Sequence, residues 1–280
     1  MTHARSLAVR RTPLALHSGP EPVFLREIAV VGPGVVGMPV AALLATAELW
    51  APDGTPTRVT VVQRASATSG WKVGAINAGR SPIGALEPAI DELVAQGAGS
   101  GRLRATTDYA AIRDADVVLV CVQTERRGIA PDYSHLLEAL HGVANALAQR
   151  TAGSVPIVVI ESTLAPTTLA TVVRPLFAQH GLEEGRDVLL AHSPSRVTRG
   201  DVVGRLITTD KLVGVLSPGT APRVASLYEN VVTQGTVHCT NALTVELVTT
   251  LENASRDVHI AYAAEVAFLF WQAVWKSHSA

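Results

Sequence analysis

The chain has 280 residues, of which 48% are hydrophobic and 17% are charged, and its formal net charge is −1 at pH 7. This composition is typical of a folded globular protein with a large core. Nucleic-acid binding requires an excess of Lys and Arg, so the charge balance argues against that class. Two cysteines, Cys121 and Cys239, offer neither a disulfide framework nor CxxC spacing. We therefore expect a cytoplasmic protein without a metal site.

Residues 1–24 are expected to form a disordered tail, with a transit peptide as the alternative. Their apolar runs, LAV and LAL, are too short for the core of a secretory signal. Near the C-terminus, the apolar run IAYAAEVAFLFWQAVW is too short to cross a membrane and contains Glu265. The sequence therefore predicts no membrane segment.

From residue 25 onwards, apolar runs of strand length alternate with longer runs of helical spacing. The predicted strands are REIAVVG, RVTVVQ, ADVVLVCV, PIVVIES and DVLLAHSP. The predicted helices between them are VVGMPVAALLATAEL, EPAIDELVAQGA, DYSHLLEALHGVANALAQR and TLATVVRPLFAQH. This alternation predicts an α/β fold, with a Rossmann-type doubly wound parallel sheet over residues 25–216.

The pattern changes in residues 217–280, which we expect to form a central helical segment. APRVASLYENVV has helical spacing and GTVHCT is a short strand candidate. From Asn241 to the end there is no Gly or Pro, which predicts one very long helix. A helix of this length is typical of a spine that links two domains or pairs two subunits.

A glycine-rich turn joins the first predicted strand to the first predicted helix. Its sequence is Gly32-Pro33-Gly34-Val35-Val36-Gly37. In this context the first glycine permits a tight turn and the second lets the backbone approach a pyrophosphate. The third lets the helix pack closely on the strand. The turn predicts a dinucleotide site, with the phosphates at the start of the helix.

The end of the second predicted strand leaves the choice of dinucleotide open. Sites for NAD usually carry an acidic residue here for the adenine-side ribose, but this chain has Gln63 and Arg64. Gln63 can bind a ribose hydroxyl, which is compatible with NAD. Arg64 can pair with a 2′-phosphate, which favours NADP, or it can simply be solvated.

Five segments occur in an order and spacing that resemble one enzyme family. They are INAGRSPIGALEPAIDELV, RLRATTDY, DVVLVCVQT, VVIESTLAP and LENASRDVHIAYAAEVA. The chain thereby resembles the UDP-glucose/GDP-mannose dehydrogenase family from about Ile28 to about Ala267. The resemblance implies oxidation of the C6 alcohol of a nucleotide sugar to a carboxylate with NAD, in polysaccharide-precursor biosynthesis. It also implies a homodimer formed through the long central helix.

The resemblance assigns catalytic roles to three residues. Thr124 matches the threonine that positions a catalytic water, Glu161 matches a glutamate of acid–base work, and Asn253 matches the asparagine that steadies an oxyanion. Thr124 could instead simply end a strand, and Asn253 could be an ordinary polar position on a helix. Glu161 directly follows an apolar strand, where α/β sheets hold ligands, which favours a functional role.

The resemblance also assigns cofactor contacts outside the glycine turn. They are Lys72, Val122 and Gln123, together with Thr124 and Glu161.

The chain departs from the family pattern at several positions. Thr249 stands where the family has a lysine, and a threonine hydroxyl cannot supply its positive charge. Ser195 replaces the glutamate of an SPE motif, and Thr167 replaces the glycine of a PGTT motif. The family's catalytic cysteine and its nucleotide-sugar domain are expected beyond residue 280.

These departures lead to two hypotheses. The first is a nucleotide-sugar 6-dehydrogenase that is incomplete or inactive as this chain alone. The second is a non-catalytic NAD(P)-binding remnant that dimerises, either as a pseudoenzyme or as the cofactor half of a split enzyme. A β-hydroxyacid dehydrogenase is disfavoured, because that class shares the lysine that Thr249 replaces and lacks the segment NAGRSPI.

Overall fold

The computed structural model describes residues 24–84, 89–128, 130–196 and 200–278. The predicted tail lies, up to residue 23, outside the described residues. The strands are β1 (Glu27–Val31), β2 (Arg58–Val62), β3 (Leu103–Thr106), β4 (Val117–Val120), β5 (Glu125–Arg127), β6 (Ala130–Asp132), β7 (Ile157–Ile160), β8 (Leu189–His192), β9 (Lys211–Val215) and β10 (Val237–Asn241). The helices are α1 (Gly37–Thr46), α2 (Trp71–Asn77), α3 (Ala89–Gly99), α4 (Ser134–Leu147), α5 (Arg174–Gln179), α6 (Val202–Thr208), α7 (Ala221–Tyr228) and α8 (Ala242–His278).

Eight of these strands form one sheet in the order β10-β9-β8-β7-β4-β1-β2-β3. Neighbouring strands are parallel except β8 and β9, which are antiparallel. The order from β3 to β8 is that of a dinucleotide-binding sheet, which confirms the predicted α/β Rossmann fold. The sheet continues beyond residue 216 through β10. The domain boundary that the sequence predicts at residue 216 stays a prediction. β5 and β6 form a separate hairpin.

The central strands are apolar throughout because both of their faces are covered. In β1, Ile28 and Val30 belong to the hydrophobic core on the side of α1 and α3. Ala29 and Val31 belong to the core on the opposite side, with α4 and α5. Near-continuous Val and Ile runs are therefore required here, as in other doubly covered parallel sheets.

The long helix α8 contacts the sheet through its first turns only. Ala242, Val245, Glu246 and Thr249 are buried, at the three- and four-residue spacing of one helical face. From Leu251 onwards, the described side chains of α8 are largely exposed. Within the described residues, none of the helices combines the length and the apolarity that a membrane crossing requires.

Glu246 fixes α8 to the turn that precedes α5. Its carboxylate accepts hydrogen bonds from the backbone N–H groups of Thr167 (2.7 Å) and Leu169 (2.8 Å). Thr167 has a φ of 75°, in the left-handed region. A β-branched residue is strained there, whereas glycine is not. The glycine that the family pattern has at this position is therefore the residue that the backbone favours.

We expect Thr167→Gly to stabilise the protein. Removing the strain of a left-handed β-branched residue gains about 1–3 kcal/mol. The added freedom of glycine in the unfolded chain takes back up to about 1 kcal/mol. Thermal unfolding should therefore show a melting temperature higher by a few degrees.

Thr208→Gly is the matched control, because Thr208 is the last residue of α6 and its backbone is helical. That variant should melt at a lower temperature. A Thr167→Gly protein that melts below the unmodified chain would contradict the assignment of strain.

Candidate functional site

A pocket of about 340 Å³ opens at the carboxyl ends of β1, β2 and β4. β1 and β4 lie side by side in the sheet. β2 and β3 follow outward from β1, whereas β7 and β8 follow outward from β4 on the other side. Sheets of this kind bind ligands at such a switch in strand order. The predicted cofactor residues that line it are Gly32, Gly34, Gln63, Arg64, Lys72, Val122 and Gln123. Thr124 and Glu161 do not line it, and neither do Val35, Val36 and Gly37 from the turn.

The three glycines of the turn have three different surroundings. Gly32 has a φ of +95°, and a Cβ there would lie 2.7 Å from the Cys121 carbonyl oxygen. A Cβ on Gly37 would lie 2.1 Å from the Gly32 carbonyl oxygen. A Cβ on Gly34 would meet no atom within 4 Å. Gly32 and Gly37 are therefore required by packing, whereas Gly34 borders open space beside the pocket.

The start of α1 provides hydrogen-bond donors for a ligand. In the described part of the chain, the backbone N–H groups of Val35 and Val36 donate to no protein acceptor. They precede α1, where the helix dipole favours negative charge. Free donors at a helix start, beside a glycine without a side chain, fit the pyrophosphate of a dinucleotide.

The residues after β2 form the far end of this pocket. The side-chain amide of Gln63 donates to the Arg64 carbonyl (3.0 Å) and to Ser69 Oγ (3.0 Å). Arg64 Nη1 donates to Glu138 Oε2 at 3.1 Å and lies 3.2 Å from His135 Nδ1. Arg64 therefore faces the pocket and is held by α4.

A second cavity, of about 430 Å³, brings together two of the three predicted catalytic residues. Thr124 lies on the loop after β4, and its hydroxyl donates to the Thr163 carbonyl at 3.4 Å. Asn253 reaches the same cavity from α8. Glu125 lines both cavities, so they adjoin at the loop that carries Thr124.

Glu161 lies apart from both cavities, in a buried ion pair. Lys211 Nζ donates to Glu161 Oε2 at 2.7 Å and to the Ser193 carbonyl at 3.0 Å. The Tyr228 hydroxyl donates to Glu161 Oε1, and the Lys211 ammonium lies 4.7 Å from the centre of the Tyr228 ring. The Glu161 side chain is 0% exposed. A buried carboxylate requires such partners, because desolvating an unpaired charge is very costly.

His192 lies at the end of β8, close to this ion pair. Its ring is fully buried and Nδ1 donates to the Ile160 carbonyl at 2.9 Å. Among the described residues, Nε2 has no hydrogen-bond partner. Burial lowers the pKa of His192 to about 4, and the positive charge of Lys211 acts in the same direction.

The structure also shows the surroundings of two positions that depart from the family pattern, Thr249 and Ser195. Thr249 is buried, and its hydroxyl donates to the Val245 carbonyl of its own helix at 3.0 Å. Ser195 Oγ is buried with no partner among the described residues. The next residue, Arg196, forms two hydrogen bonds to Glu252 of α8, at 2.6 Å and 2.9 Å. Thr249 therefore brings no positive charge near Asn253.

Several residues of these sites were not predicted from the sequence. In the first pocket they are Tyr109, Cys121, Glu125, His135 and Glu138. His135 and Glu138 are three residues apart in the first turns of α4, so helical spacing could have paired them. The partners of Glu161, Lys211 and Tyr228, are distant in sequence, and no local pattern indicates them.

Comparison with known proteins assigns the chain to one family. A family model described as "UDP-glucose/GDP-mannose dehydrogenase family, NAD binding domain" matches residues 26–232. A UDP-N-acetyl-D-mannosamine dehydrogenase of Pyrococcus horikoshii is 34% identical over 246 residues, which cover 88% of this chain and 54% of that protein. An NDP-N-acetyl-D-galactosaminuronic acid dehydrogenase of Ralstonia nicotianae is 33% identical, with 88% and 55% covered.

A solved structure gives the same result at the level of the fold. The crystal structure of an NDP-N-acetyl-D-galactosaminuronic acid dehydrogenase from Methanosarcina mazei superposes with a TM-score of 0.77 at 32% identity. The match covers 88% of this chain and 50% of that one. The chain thus spans about half the length of the curated relatives it matches.

The buried His192 should make the stability of the protein depend on pH. Its folded pKa, about 4, lies below the ordinary histidine value of 6.5, so the unfolded chain binds the proton more tightly. The stabilisation is complete above about pH 6.5 and is lost as the pH falls towards 4. Between pH 7 and pH 5 the loss from this residue is about 2 kcal/mol.

Chemical denaturation of His192→Gln at both pH values measures this contribution. The variant should lose less stability between pH 7 and pH 5 than the unmodified chain does. His259→Gln, on the exposed part of α8, is the control and should keep the original pH dependence. An unchanged pH dependence in His192→Gln would show that another group is responsible.

Proposed function

Because the chain belongs to the UDP-glucose/GDP-mannose dehydrogenase family, we propose that it is the cofactor-binding part of a nucleotide-sugar 6-dehydrogenase. In this role it holds NAD while the C6 alcohol of a UDP- or GDP-sugar is oxidised. The observation that carries the proposal is the pocket at the ends of β1 and β4, with Gly34 beside open space and free N–H groups at the start of α1. A bound NAD would accept the hydride.

The cavity between Thr124 and Asn253 is the proposed place of the reacting alcohol. It adjoins the cofactor pocket at Glu125, so a substrate there would lie beside the cofactor. The Asn253 side-chain amide can donate a hydrogen bond to an oxygen that gains negative charge. The Thr124 hydroxyl can orient a water or the alcohol itself.

Glu161 is proposed to position these groups, which differs from the direct acid–base role that the resemblance implies. Both of its oxygens already accept hydrogen bonds from buried donors. The residues that follow Glu161 connect the loop after β7 to the loop after β4. Ser162 donates to the Val122 carbonyl at 2.5 Å, and the Thr163 carbonyl accepts from Thr124. Holding Glu161 therefore holds Thr124 in place.

The second oxidation, from aldehyde to acid, requires a thiolate that this chain is not expected to supply. Burial raises the pKa of the Cys121 thiol, and the negative charge of Glu161 adds to the effect. Burial also raises the pKa of Cys239. Neither cysteine lines the cavity of Thr124 and Asn253. We therefore propose that this step depends on a thiol outside the described residues.

The exposed part of α8 supports a proposed homodimer. Its exposed apolar side chains are Leu251, Val258, Ile260, Tyr262, Phe268, Leu269, Phe270, Trp271 and Val274. A surface of this kind is normally covered in the assembled protein. We propose a cytoplasmic enzyme that pairs through this helix and acts in polysaccharide-precursor biosynthesis. The relatives reported above are all dehydrogenases, which favours an enzyme over a non-catalytic remnant.

Titration with NADH, followed by nicotinamide fluorescence, tests the proposed cofactor site. The unmodified chain should bind NADH. Gly34→Ala should weaken binding at least about tenfold, because its methyl group enters the space expected for the pyrophosphate. Its melting temperature should hardly change, since that methyl group meets no protein atom.

Gly99→Ala is the control, because Gly99 ends α3 and a Cβ there also meets no atom within 4 Å. It should bind NADH as the unmodified chain does. Absence of NADH binding by the unmodified chain would overturn the proposed function. Release of two NADH per UDP-sugar by the chain would contradict the need for an external thiol.

A further inference from the structure

The acidic residue that usually binds the adenine-side ribose of NAD is absent from the end of β2. Gln63 takes its place, and the amide group of Gln63 donates within its own loop, to the Arg64 carbonyl and Ser69 Oγ. The side chain is buried and lacks charge. Arg64 is therefore the charged side chain that the end of β2 presents to the pocket.

An unpaired arginine at this position would favour a 2′-phosphate, as in NADP-dependent proteins. Arg64, however, is bound by Glu138 from α4, with 3.1 Å between Nη1 and Oε2. Arg64 Nη1 also lies 3.2 Å from Nδ1 of His135, which stands three residues before Glu138 on α4. Both members of the ion pair line the cofactor pocket. The pair is about half exposed, with 50% and 57% of the two side chains accessible, so a ligand can reach it.

The other charged side chains of the pocket add no net charge to the pair of Arg64 and Glu138. Lys72 and Glu125 contribute one charge of each sign. Tyr109 stays protonated, because burial first and the charge of Glu138 second raise its pKa to about 12. Glu138 is therefore the negative charge in contact with Arg64.

We infer that Glu138 determines the choice of NAD over NADP, an inference that rests on the proposed dinucleotide site. Glu138 engages the guanidinium that a 2′-phosphate would otherwise use, and its negative charge repels such a phosphate. A ribose 2′-hydroxyl, by contrast, can donate to the remaining lone pairs of the carboxylate. An acidic residue on α4 thus replaces the one missing from β2.

Dissociation constants of NADH and NADPH, measured by fluorescence titration, test this inference without requiring turnover. The unmodified chain should prefer NADH. Glu138→Gln should shift the ratio of the two constants towards NADPH by about tenfold, because Arg64 is released and the repelling charge is removed. The double variant with Arg64→Gln should lose the gain for NADPH.

Glu92→Gln is the control, because Glu92 is an exposed carboxylate on α3 outside this pocket. Its ratio of constants should equal that of the unmodified chain. An unchanged ratio in Glu138→Gln, or an unmodified chain that prefers NADPH, would overturn the inference while leaving the cofactor site intact. Failure of the unmodified chain to bind either dinucleotide would overturn the cofactor site as well.

Discussion

The contact of the glycine turn with the end of β4 is the constraint on which the site depends. Gly32 and Gly37 leave no room for a side chain, because the Cys121 backbone and the Gly32 carbonyl occupy the space. This packing brings the start of α1 to the carboxyl ends of the neighbouring strands β1 and β4. The free N–H groups of Val35 and Val36 are a consequence of that placement, as is the pocket beside Gly34.

A second set of interactions attaches the remainder of the chain to this core. The ion pair of Glu161 with Lys211 joins β7 to β9, and the Tyr228 hydroxyl adds α7. Glu246 joins the start of α8 to the turn at Thr167. Buried pairs of this kind contribute little net stability, but the removal of one partner is costly. They therefore define where α8, and with it Asn253, lies relative to the loop of Thr124.

The sequence was sufficient for the parts of the structure that follow local rules. The valine-rich runs predicted β1, β2, β4 and β7, and the absence of Gly and Pro predicted α8. The strands β3 (LRAT) and β9 (KLVGV) were not predicted, because Arg104 interrupts the first apolar run and Gly214 interrupts the second. In the site, the glycine turn was predicted together with the strand and the helix that it joins, whereas Glu138 and Lys211 were not predicted. Their roles depend on tertiary contacts to Arg64 and Glu161, which no sequence spacing reveals.

The most direct measurement is a crystal structure of the chain grown with NADH. The pyrophosphate oxygens are expected about 3 Å from the backbone nitrogens of Val35 and Val36, at the start of α1. The adenine-side ribose is expected between the end of β2 and Glu138. A dinucleotide that binds elsewhere, or whose phosphates do not contact the start of α1, would contradict the assignment of the pocket.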